Sequence, residues 1–339
     1  MTERGELLTS IVETTADYRQ DVLGPPTPGH VDRWVRQFNE SVQVPILREM
    51  DHVLKKTYFS RNRVKKFLAR VFRAEKLVGD DPCAFWKSVN FLDIQINDGA
   101  SQKEMLALFD EVLKRQCGFQ IDNCGTASNT FIYLDDAIFS GGRVKQDLDN
   151  WIKYKVPNKA KIKIHVIVIA LHQGFYYNRD MIEEIIRESD KDIDISWHPR
   201  FVVENRKFYK KVSDVLWPTV IPDDDAVRAY VDNLKLSLEL REAGQTGDLN
   251  IFSSDTGRQI LEREFLKAGV EIRRICPNLN KNQRPLGNTT LETPGFGSLI
   301  VTFRNCPNNA PLALWVGDPW YPLFRRVTNN QTSQQEGGF

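Results

Sequence analysis

The sequence is short of cysteine, of long apolar runs and of net charge, and these shortages exclude several classes of protein. Its 339 residues include five cysteines, an odd number, without a CxxC pair. This arrangement fits neither a disulfide framework nor a zinc site, so a reducing cytoplasm is the expected location. No segment approaches the ~20 apolar residues of a membrane-spanning helix, and the N-terminus lacks the apolar core of a signal peptide. We therefore expect a soluble intracellular protein with no membrane partner.

The overall charge excludes few further classes of protein, because the formal net charge is only +1. Nothing in the overall composition indicates a nucleic-acid-binding protein. One segment departs from this balance, since residues 48–76 hold ten lysines or arginines against three acids. Such a surplus can face an anionic partner, although an ordinary solvated surface is an equal alternative.

The order of apolar patterns predicts a central α/β domain between two additions. Residues 1–85 carry helical spacing, residues 86–200 alternate strand-like and helix-like runs, residues 201–327 form an extension, and residues 328–339 form a polar, flexible tail. The extension mixes charged helices, turns and one apolar run, which is typical of an α+β segment. We expect it to pack on the central domain.

The central domain contains strand-and-helix units. Strands are predicted at residues 89–96, 130–134, 162–171 and 193–197, and helices at residues 103–115, 143–154 and 179–189. The run IKIHVIVIAL, residues 162–171, is typical of a strand buried on both faces of a parallel sheet. This alternation predicts a doubly wound, mostly parallel sheet with ligands at the carboxyl ends of its strands.

One motif carries chemistry: FIYLDDAIFSGGR, residues 131–143. Asp135 and Asp136 follow a short apolar strand, where two adjacent acids are costly unless a ligand or metal ion offsets their charge. Ribose hydroxyls and magnesium are suitable partners. Residues 139–143 then form a tight glycine turn into a helix, whose amides and N-terminal potential can hold a phosphate.

The alternative reading is a strand that ends in helix-capping acids and a glycine turn. For the acid pair or the glycine pair alone this reading is favoured, because short motifs recur by chance. The joint pattern, placed between a strand and a helix, favours the ligand site.

The motif resembles the phosphoribosyl pyrophosphate signature of type I phosphoribosyltransferases. The resemblance implies that Asp135 and Asp136 contact the ribose hydroxyls and bind Mg²⁺ directly or indirectly. It implies that the 5-phosphate is held by Phe139, Ser140, Gly141, Gly142 and Arg143. By position, the pyrophosphate loop would comprise Asn97, Asp98, Gly99, Ala100, Ser101 and Gln102.

Two features depart from that family's pattern. Arg143 stands where the phosphate loop usually ends in a small hydroxyl residue. Most active members also have a long flexible hairpin before the signature strand, whereas only residues 118–129 lie there. Loss of a closing hairpin would weaken transferase chemistry, because closure excludes water from the reacting centre.

A second resemblance covers nearly the whole chain. RNCPNNAPLALWVGDPWYPLFRR at residues 304–326, together with the N-terminal DYR and HVDRWVRQF segments, looks like bacterial phosphoribosyltransferases with a C-terminal extension that are associated with phage-defence loci. This resemblance implies an immune effector or toxin. It also implies a partner, either the reverse transcriptase of a retron with its nucleic acid or an ATPase.

Two functions therefore remain open. The first is an enzyme that binds phosphoribosyl pyrophosphate, or a related nucleotide, with magnesium and acts at the anomeric carbon. The second is a non-catalytic sensor that keeps the pocket and docks its basic helices on nucleic acid or a protein. Whether the protein forms a homo-oligomer is also open.

Several other residues have both a functional and a structural reading. The aromatic residues of the extension either stack on a base or anchor the extension. Cys306 is a nucleophile or a small core residue, and the core reading is favoured. His172 and His198, near predicted strand ends, are weak candidates for proton transfer, whereas His165 is expected to be a core histidine.

Overall fold

The computed structural model describes residues 2–95, 100–125, 128–234, 237–290 and 292–326. Its contacts divide the chain into two compact units, one of Met1–Ser60 with Glu204–Phe339 and one of Arg61–Val203. This division differs from the predicted segments, because the predicted helical region of residues 1–85 is shared between the two units. Within the described ranges, no helix is long and apolar enough to cross a membrane.

The first unit opens with four helices and a short strand: α1 (Glu3–Thr14), α2 (Gln20–Leu23), α3 (Pro28–Val35), α4 (Glu40–Thr57) and β1 (Tyr58–Phe59). The predicted helical spacing buries one side of α4, where Ile46, Met50 and Val53 are fully buried. At the start of α3, the Thr27 hydroxyl accepts a hydrogen bond from the N–H of His30. The pair Thr27-Pro28 thus favours the start of a helix. Thr27 accepts a hydrogen bond from one free amide of the first turn, and Pro28 has no amide N–H that would need a partner.

The second unit is an α/β domain. In chain order its elements are α5 (Arg61–Val71), α6 (Glu75–Val78), α7 (Pro82–Ser88), β2 (Asn90–Leu92), α8 (Ala100–Cys117), β3 (Thr130–Ile138), α9 (Gly142–Lys155), β4 (Lys161–His172), α10 (Tyr176–Glu188) and β5 (Asp192–Val203). The four strands form one parallel sheet in the order β2-β3-β4-β5. The α/β class and the parallel sheet predicted from the sequence are confirmed.

Helices cover both faces of this sheet. On one face, the ring of Phe91 in β2 lies 5.6 Å from that of Phe109 in α8. Phe91 is opposite Ile132 in β3, and the neighbouring Phe131 points to the other face, where its ring lies 4.8 Å from Trp151 of α9. A doubly wound sheet also reverses its strand order. The described strands follow chain order, so that finer topology stays a prediction.

Strand β4 is the centre of the second unit, as its apolar run predicts. The apolar residues of β4 that are at most 1% exposed are Ile164, Val166, Ile167, Val168, Ile169 and Ala170. On one face they pack with Leu148 and Ile152 of α9 and Ile182 of α10. Each fully buried aliphatic side chain contributes about 1.5–3 kcal/mol, so this strand fixes the sheet that carries the candidate site.

The first unit continues after the sheet with α11 (Asp225–Asn233), α12 (Asp255–Ile275), β6 (Gln283–Arg284), β7 (Gly287–Asn288), β8 (Val301–Thr302) and α13 (Leu312–Trp315). Helix α11 ends at Asn233, and further along the chain the N–H groups of Glu239 and Arg241 donate to the carbonyls of Glu292 and Pro218. The apolar run at residues 296–303 pairs as a strand only over β8, which lies parallel to β1.

The aromatic residues of the extension serve as anchors within the first unit. The indole N–H groups of Trp34 and Trp320 both donate to the carbonyl of Ala313, at 2.8 and 3.1 Å. Trp315, Trp320 and Phe324 are 6, 7 and 2% exposed. Buried rings with satisfied N–H groups favour the structural reading over base stacking.

Two of the cysteines form a disulfide between α7 and the end of α8, Cys83 with Cys117. The prediction that the cysteines form no such bond was wrong. The two residues are 34 positions apart and join only because α7 packs against α8, which no local spacing indicates.

Candidate functional site

Asp135 and Asp136 lie inside β3 rather than after it. The sequence predicts that the strand ends at residue 134, but it continues to Ile138 because β4 runs beside it, with Asp135 opposite Val168 and Ile138 opposite Leu171. The prediction that the acids belong to a loop was therefore wrong. They still lie towards the carboxyl ends of parallel strands, where α/β proteins bind ligands.

Asp135 belongs to a buried hydrogen-bond network. Its Oδ2 accepts a hydrogen bond of 2.7 Å from Nε2 of Gln95, and its Oδ1 accepts one of 2.8 Å from the N–H of Asp136. The Tyr133 hydroxyl lies 3.5 Å from the same Oδ2 and donates to Oδ2 of Asp147 at 3.1 Å. Burial raises the pKa of Tyr133, and the Asp135 and Asp147 carboxylates raise it further. The phenol therefore remains a hydrogen-bond donor.

The sequence reasoning missed Gln95, Tyr133 and Asp147. Asp147 carries a signal, because it recurs at helical spacing with Val144 and Leu148 on the buried side of α9. A buried acid on an apolar helix face requires a partner. Gln95 carries no local signal, because only the pairing of β2 with β3 brings it to Asp135.

Asp136 differs from Asp135 in exposure and direction. It is half-buried, and its Oδ1 accepts a hydrogen bond of 2.7 Å from the N–H of Ala137. Successive residues of a strand point to opposite faces, so Asp136 points away from the Tyr133 side. The two carboxylates therefore lie on opposite faces of the sheet, which the sequence did not indicate.

The predicted phosphate loop is the turn between β3 and α9. Phe139 is half-buried, Ser140 and Arg143 are exposed, and Gly141 is the residue before the helix, with φ of +81°. A Cβ on Gly141 would lie 2.7 Å from Cδ2 of Phe175, so both the backbone angle and the space require glycine. The structure brings these predicted residues together at one helix N-terminus.

The first turn of α10 supports this loop. Nδ2 of Asn178 donates a hydrogen bond of 2.6 Å to the carbonyl of Ser140. With Phe175 beneath Gly141, this bond fixes the turn before the 14 residues of α9. Amides at a helix N-terminus, held in a rigid turn, can bind a phosphate group.

His172 packs against Phe139 of the phosphate loop, and its position is unsuitable for proton transfer. It is fully buried, its ring stacks on Phe139 at 4.8 Å, and its Nδ1 lies 3.1 Å from the carbonyl of Ile138. A carbonyl only accepts, so Nδ1 carries the proton. Burial lowers the pKa of His172 to about 4, which leaves the ring neutral at neutral pH.

His198 lies in a polar cluster on the sheet, away from the strand ends. Nδ1 of His165 is 2.7 Å from Oγ of Ser196 and 3.0 Å from Nε2 of His198. Burial lowers the pKa of His165 to about 4 and also lowers that of His198. These side chains satisfy one another, as the core reading of His165 predicts.

The predicted pyrophosphate loop is described only in part. Asn97, Asp98 and Gly99 lie outside the described residues, while Ala100, Ser101 and Gln102 begin α8. Oε1 of Gln102 accepts hydrogen bonds from the N–H groups of Ile94 and Gln95, so the two ends of the loop are tied together. Gln95, which precedes the predicted loop in the chain, contacts Asp135.

The residues present fit magnesium bound together with a phosphate ligand. Mg²⁺ prefers oxygen donors and is usually held by one or two carboxylates plus substrate phosphates and water. Asp136 supplies a half-buried carboxylate beside the phosphate loop, whereas Asp135 is buried on the opposite face of β3 with both of its oxygens accepting hydrogen bonds. Among the described residues no group of three or more His, Cys, Asp or Glu could hold a metal ion by itself. The donor set thus suits an ion shared with a ligand.

Cys306 has the environment of a core residue. It is completely buried, and burial raises the pKa of its thiol far above the ordinary value. A thiol that stays protonated is a poor nucleophile. The favoured core reading of this cysteine agrees with its position.

Comparison with known proteins gives the family. Neither the curated proteins nor the solved structures yielded a match. The family model PRTase-CE matches residues 31–326, which is most of the 339-residue chain and includes the candidate site in β3 and α9. The resemblance to phosphoribosyltransferases with a C-terminal extension is confirmed to this level, and the chain belongs to the PRTase-CE family as a phosphoribosyltransferase-like protein.

Proposed function

We propose that this protein binds phosphoribosyl pyrophosphate, or a nucleotide that resembles it, with magnesium and acts at the anomeric carbon. The observation that carries the proposal is the order of parts along β3 and α9. Two carboxylates near the end of a strand are followed directly by a rigid glycine turn at a helix N-terminus. A ribose 5-phosphate carries hydroxyls and a phosphate on one molecule, which are groups that carboxylates and helix N-terminal amides bind.

Each part has a specific role in this proposal. The half-buried Asp136 accepts hydrogen bonds from ribose hydroxyls, and the network around Asp135 holds the second carboxylate in place. The amides of the loop at residues 139–143 bind the 5-phosphate, and the exposed Arg143 adds a positive charge. The loop at residues 97–102 holds the pyrophosphate. Bound magnesium would neutralise charge on the departing pyrophosphate.

We further propose the finer assignments that the resemblance implies. The sheet is that of a type I phosphoribosyltransferase, with the doubly wound topology that this superfamily implies. The protein is an effector of bacterial antiphage defence, and its partner is a retron reverse transcriptase with its nucleic acid or an ATPase. Support for these assignments comes from membership of the PRTase-CE family and from the sequence resemblance of residues 304–326.

Calorimetric titration tests the binding proposal. We expect phosphoribosyl pyrophosphate to bind more tightly with magnesium than without it. Asp136→Asn should weaken binding about tenfold or more, because a hydrogen bond to a charged group contributes about 1.5–3 kcal/mol. Asp149→Asn, on α9, makes the same chemical change away from the carboxylate pair and should leave binding unchanged. No heat with phosphoribosyl pyrophosphate or any nucleoside 5-phosphate would contradict the proposal.

The non-catalytic sensor is the second proposal, and one observation favours it. Between α8 and β3, the described residues 118–125 and 128–129 contain a short 3-10 turn at Ile121–Asn123 and no hairpin strands. A site that lacks a closing hairpin binds ligand but excludes water poorly. Such a sensor should bind phosphoribosyl pyrophosphate and release no product.

The basic segment at residues 48–76 is the proposed docking surface in that case. The structure divides it between the two units, and ion pairs join Lys55 to Asp51 at 2.7 Å and Lys65 to Glu111 at 2.5 Å. These ion pairs within the chain reduce the positive charge that is available to a partner. Reversing the charge of Lys66, which is exposed on α5, should lower nucleic-acid binding and its salt dependence if the surface docks on phosphates.

A further inference from the structure

Strand β5 has a neighbour on one side only among the described strands, because it ends the sheet order β2-β3-β4-β5. It is long for an edge strand, with 12 residues from Asp192 to Val203. Natural edge strands are usually short or covered, since a long row of unpaired N–H and C=O groups is a template for another strand. The outer side of β5 is therefore a candidate interaction surface, which we call the β5 edge.

The backbone of β5 alternates between β4 and the β5 edge. The N–H of Asp192 donates to the carbonyl of Ala160, just before β4, at 2.9 Å. Alternate residues of a parallel strand bond the same neighbour, so the even-numbered residues of β5 bond to β4. The N–H and C=O groups of Ile193, Ile195 and Trp197 therefore face outward. Among the described residues, no loop or turn forms a hydrogen bond with these groups.

The side chains of β5 carry opposite charges at its two ends. Asp192 and Asp194 are exposed near the start of the strand, whereas the half-buried His198 and the exposed Arg200 lie further along it. All four have even numbers, so they lie on one face of the sheet. Both aspartates contact lysines of β4, at 3.2 and 3.3 Å, and their side chains are still 67 and 64% exposed. Each carboxylate can therefore accept a second partner.

A second copy of β5 in antiparallel orientation would bring these two ends together. A symmetric antiparallel pair is centred on one residue, so odd-numbered residues meet odd-numbered residues and the two outward-facing rows bond each other. Within β5, centring on Ser196 alone sets both aspartates opposite basic residues. The pairs are then Asp192 with Arg200 and Asp194 with His198, each occurring twice. Opposite charges that face each other across a strand pair stabilise it.

The same register joins apolar residues on the other face of the sheet. Ile193, Ile195 and Trp197 pack against the core formed with α9 and α10 but are only half-buried. Centring on Ser196 sets Ile195 opposite Trp197 of the second copy and Ile193 opposite Pro199. Pro199 has no N–H, and an odd-numbered position on an edge is where a sheet tolerates proline. Association would remove further apolar surface from water.

We propose that the β5 edge binds the β5 edge of a second copy of this chain, in antiparallel orientation and centred on Ser196. The two four-stranded sheets then form one continuous sheet. The partner is a second copy rather than an unrelated strand, because the charges along β5 are complementary to themselves. This assembly is independent of the proposed ligand binding, so failure of either proposal leaves the other unaffected.

Charge reversal tests the register. The unmodified protein should form a dimer, which sedimentation equilibrium over a series of concentrations measures. Arg200→Asp sets two aspartates opposite each other, and Asp192→Arg sets two arginines opposite each other. Each variant should therefore dimerise more weakly by a factor of about ten or more. Lys153→Glu, exposed on α9, reverses a charge away from the β5 edge and should leave the dimer unchanged.

A mixture of the two variants gives the most specific outcome. In a mixed dimer, each arginine of one chain faces an aspartate of the other, so equimolar Asp192→Arg and Arg200→Asp should form heterodimers. Thermal unfolding checks that both variants are folded. A protein that stays monomeric up to about 0.1 mM would overturn the proposal. A dimer that neither variant weakens, or a mixture without heterodimers, would overturn it as well.

Hydrogen exchange tests the backbone pairing without any substitution. Peptides that contain residues 193–197 should exchange more slowly at protein concentrations above the dimer dissociation constant than below it, because pairing engages their outward amides. Peptides from residues 162–168 of β4, whose strand lies between two others, should exchange equally at both concentrations. Exchange of residues 193–197 that is independent of concentration would show that the β5 edge is not the interface.

Discussion

Gly141 and Phe175 are in direct contact, because a Cβ added to Gly141 would lie 2.7 Å from Cδ2 of the Phe175 ring. The glycine also has φ of +81°, which side-chain-bearing residues adopt only at a cost. This contact joins the loop before α9 to the 3-10 turn, Gln173–Phe175, that leads into α10. Together with the hydrogen bond from Asn178 of α10 to the carbonyl of Ser140, it supports the phosphate loop from outside α9.

Replacing this glycine should destabilise the loop. We expect Gly141→Ala to lower the free energy of unfolding by about 2 kcal/mol or more, from backbone strain and the clash with Phe175. Gly142→Ala is the matched control, because its Cβ would meet only Oγ of Ser140 at 3.7 Å and its φ is not positive. Chemical denaturation of both variants measures the difference. Equal stability of the two would contradict the described loop.

His172 should make stability depend on pH. Burial lowers its pKa in the folded state to about 4, whereas an unfolded histidine titrates near 6.5. The neutral His172 ring therefore makes its full contribution to the free energy of unfolding above pH 6.5. This contribution is lost as the pH falls from 6.5 towards 4. Relative to His172→Gln, the wild-type protein should lose about 2 kcal/mol of unfolding free energy between pH 7.5 and pH 5. If the unfolding free energies of the two proteins changed equally with pH, the prediction for His172 would be wrong.

The disulfide between Cys83 and Cys117 should stabilise the second unit. It closes a segment of 34 residues that contains β2 and most of α8, and chain entropy predicts a contribution of at most about 4 kcal/mol. Reduction of the wild-type protein should therefore lower its unfolding midpoint to that of Cys83→Ser, and reductant should not affect that variant further. Cys124→Ser, which removes a free cysteine of the same unit, should leave the midpoint unchanged. An equal effect of reductant on wild type and Cys83→Ser would contradict the assignment.

Sequence patterns identified the parts of the site that are contiguous in the chain. The β-branched run at residues 162–171 predicts β4, and the joint motif at residues 131–143 predicts the strand, turn and helix that hold the acids and the glycines. Both predictions depend on local periodicity and turn chemistry, which a sequence displays directly. The end of β3 was misplaced, because two adjacent acids indicate a loop until the pairing with β4 is known.

The remainder of the site depends on distant residues. Gln95 and Asp135 are 40 positions apart and meet because β2 pairs with β3. The pairing of β1 with β8 involves only two residues in each strand, too few to show a period. The first 60 residues and those after residue 203 form one compact unit, a long-range grouping that composition does not reveal.

Release of product by the purified protein decides whether this protein acts at the anomeric carbon. The protein should be incubated with magnesium and phosphoribosyl pyrophosphate, with each nucleobase in turn as acceptor or with water alone, and separately with nucleoside 5-phosphates. We expect the unmodified protein to release pyrophosphate or free base, and the folded double variant Asp135→Asn with Asp136→Asn to release neither. No release under any of these conditions, or equal release by the double variant, would contradict an enzyme that acts at the anomeric carbon.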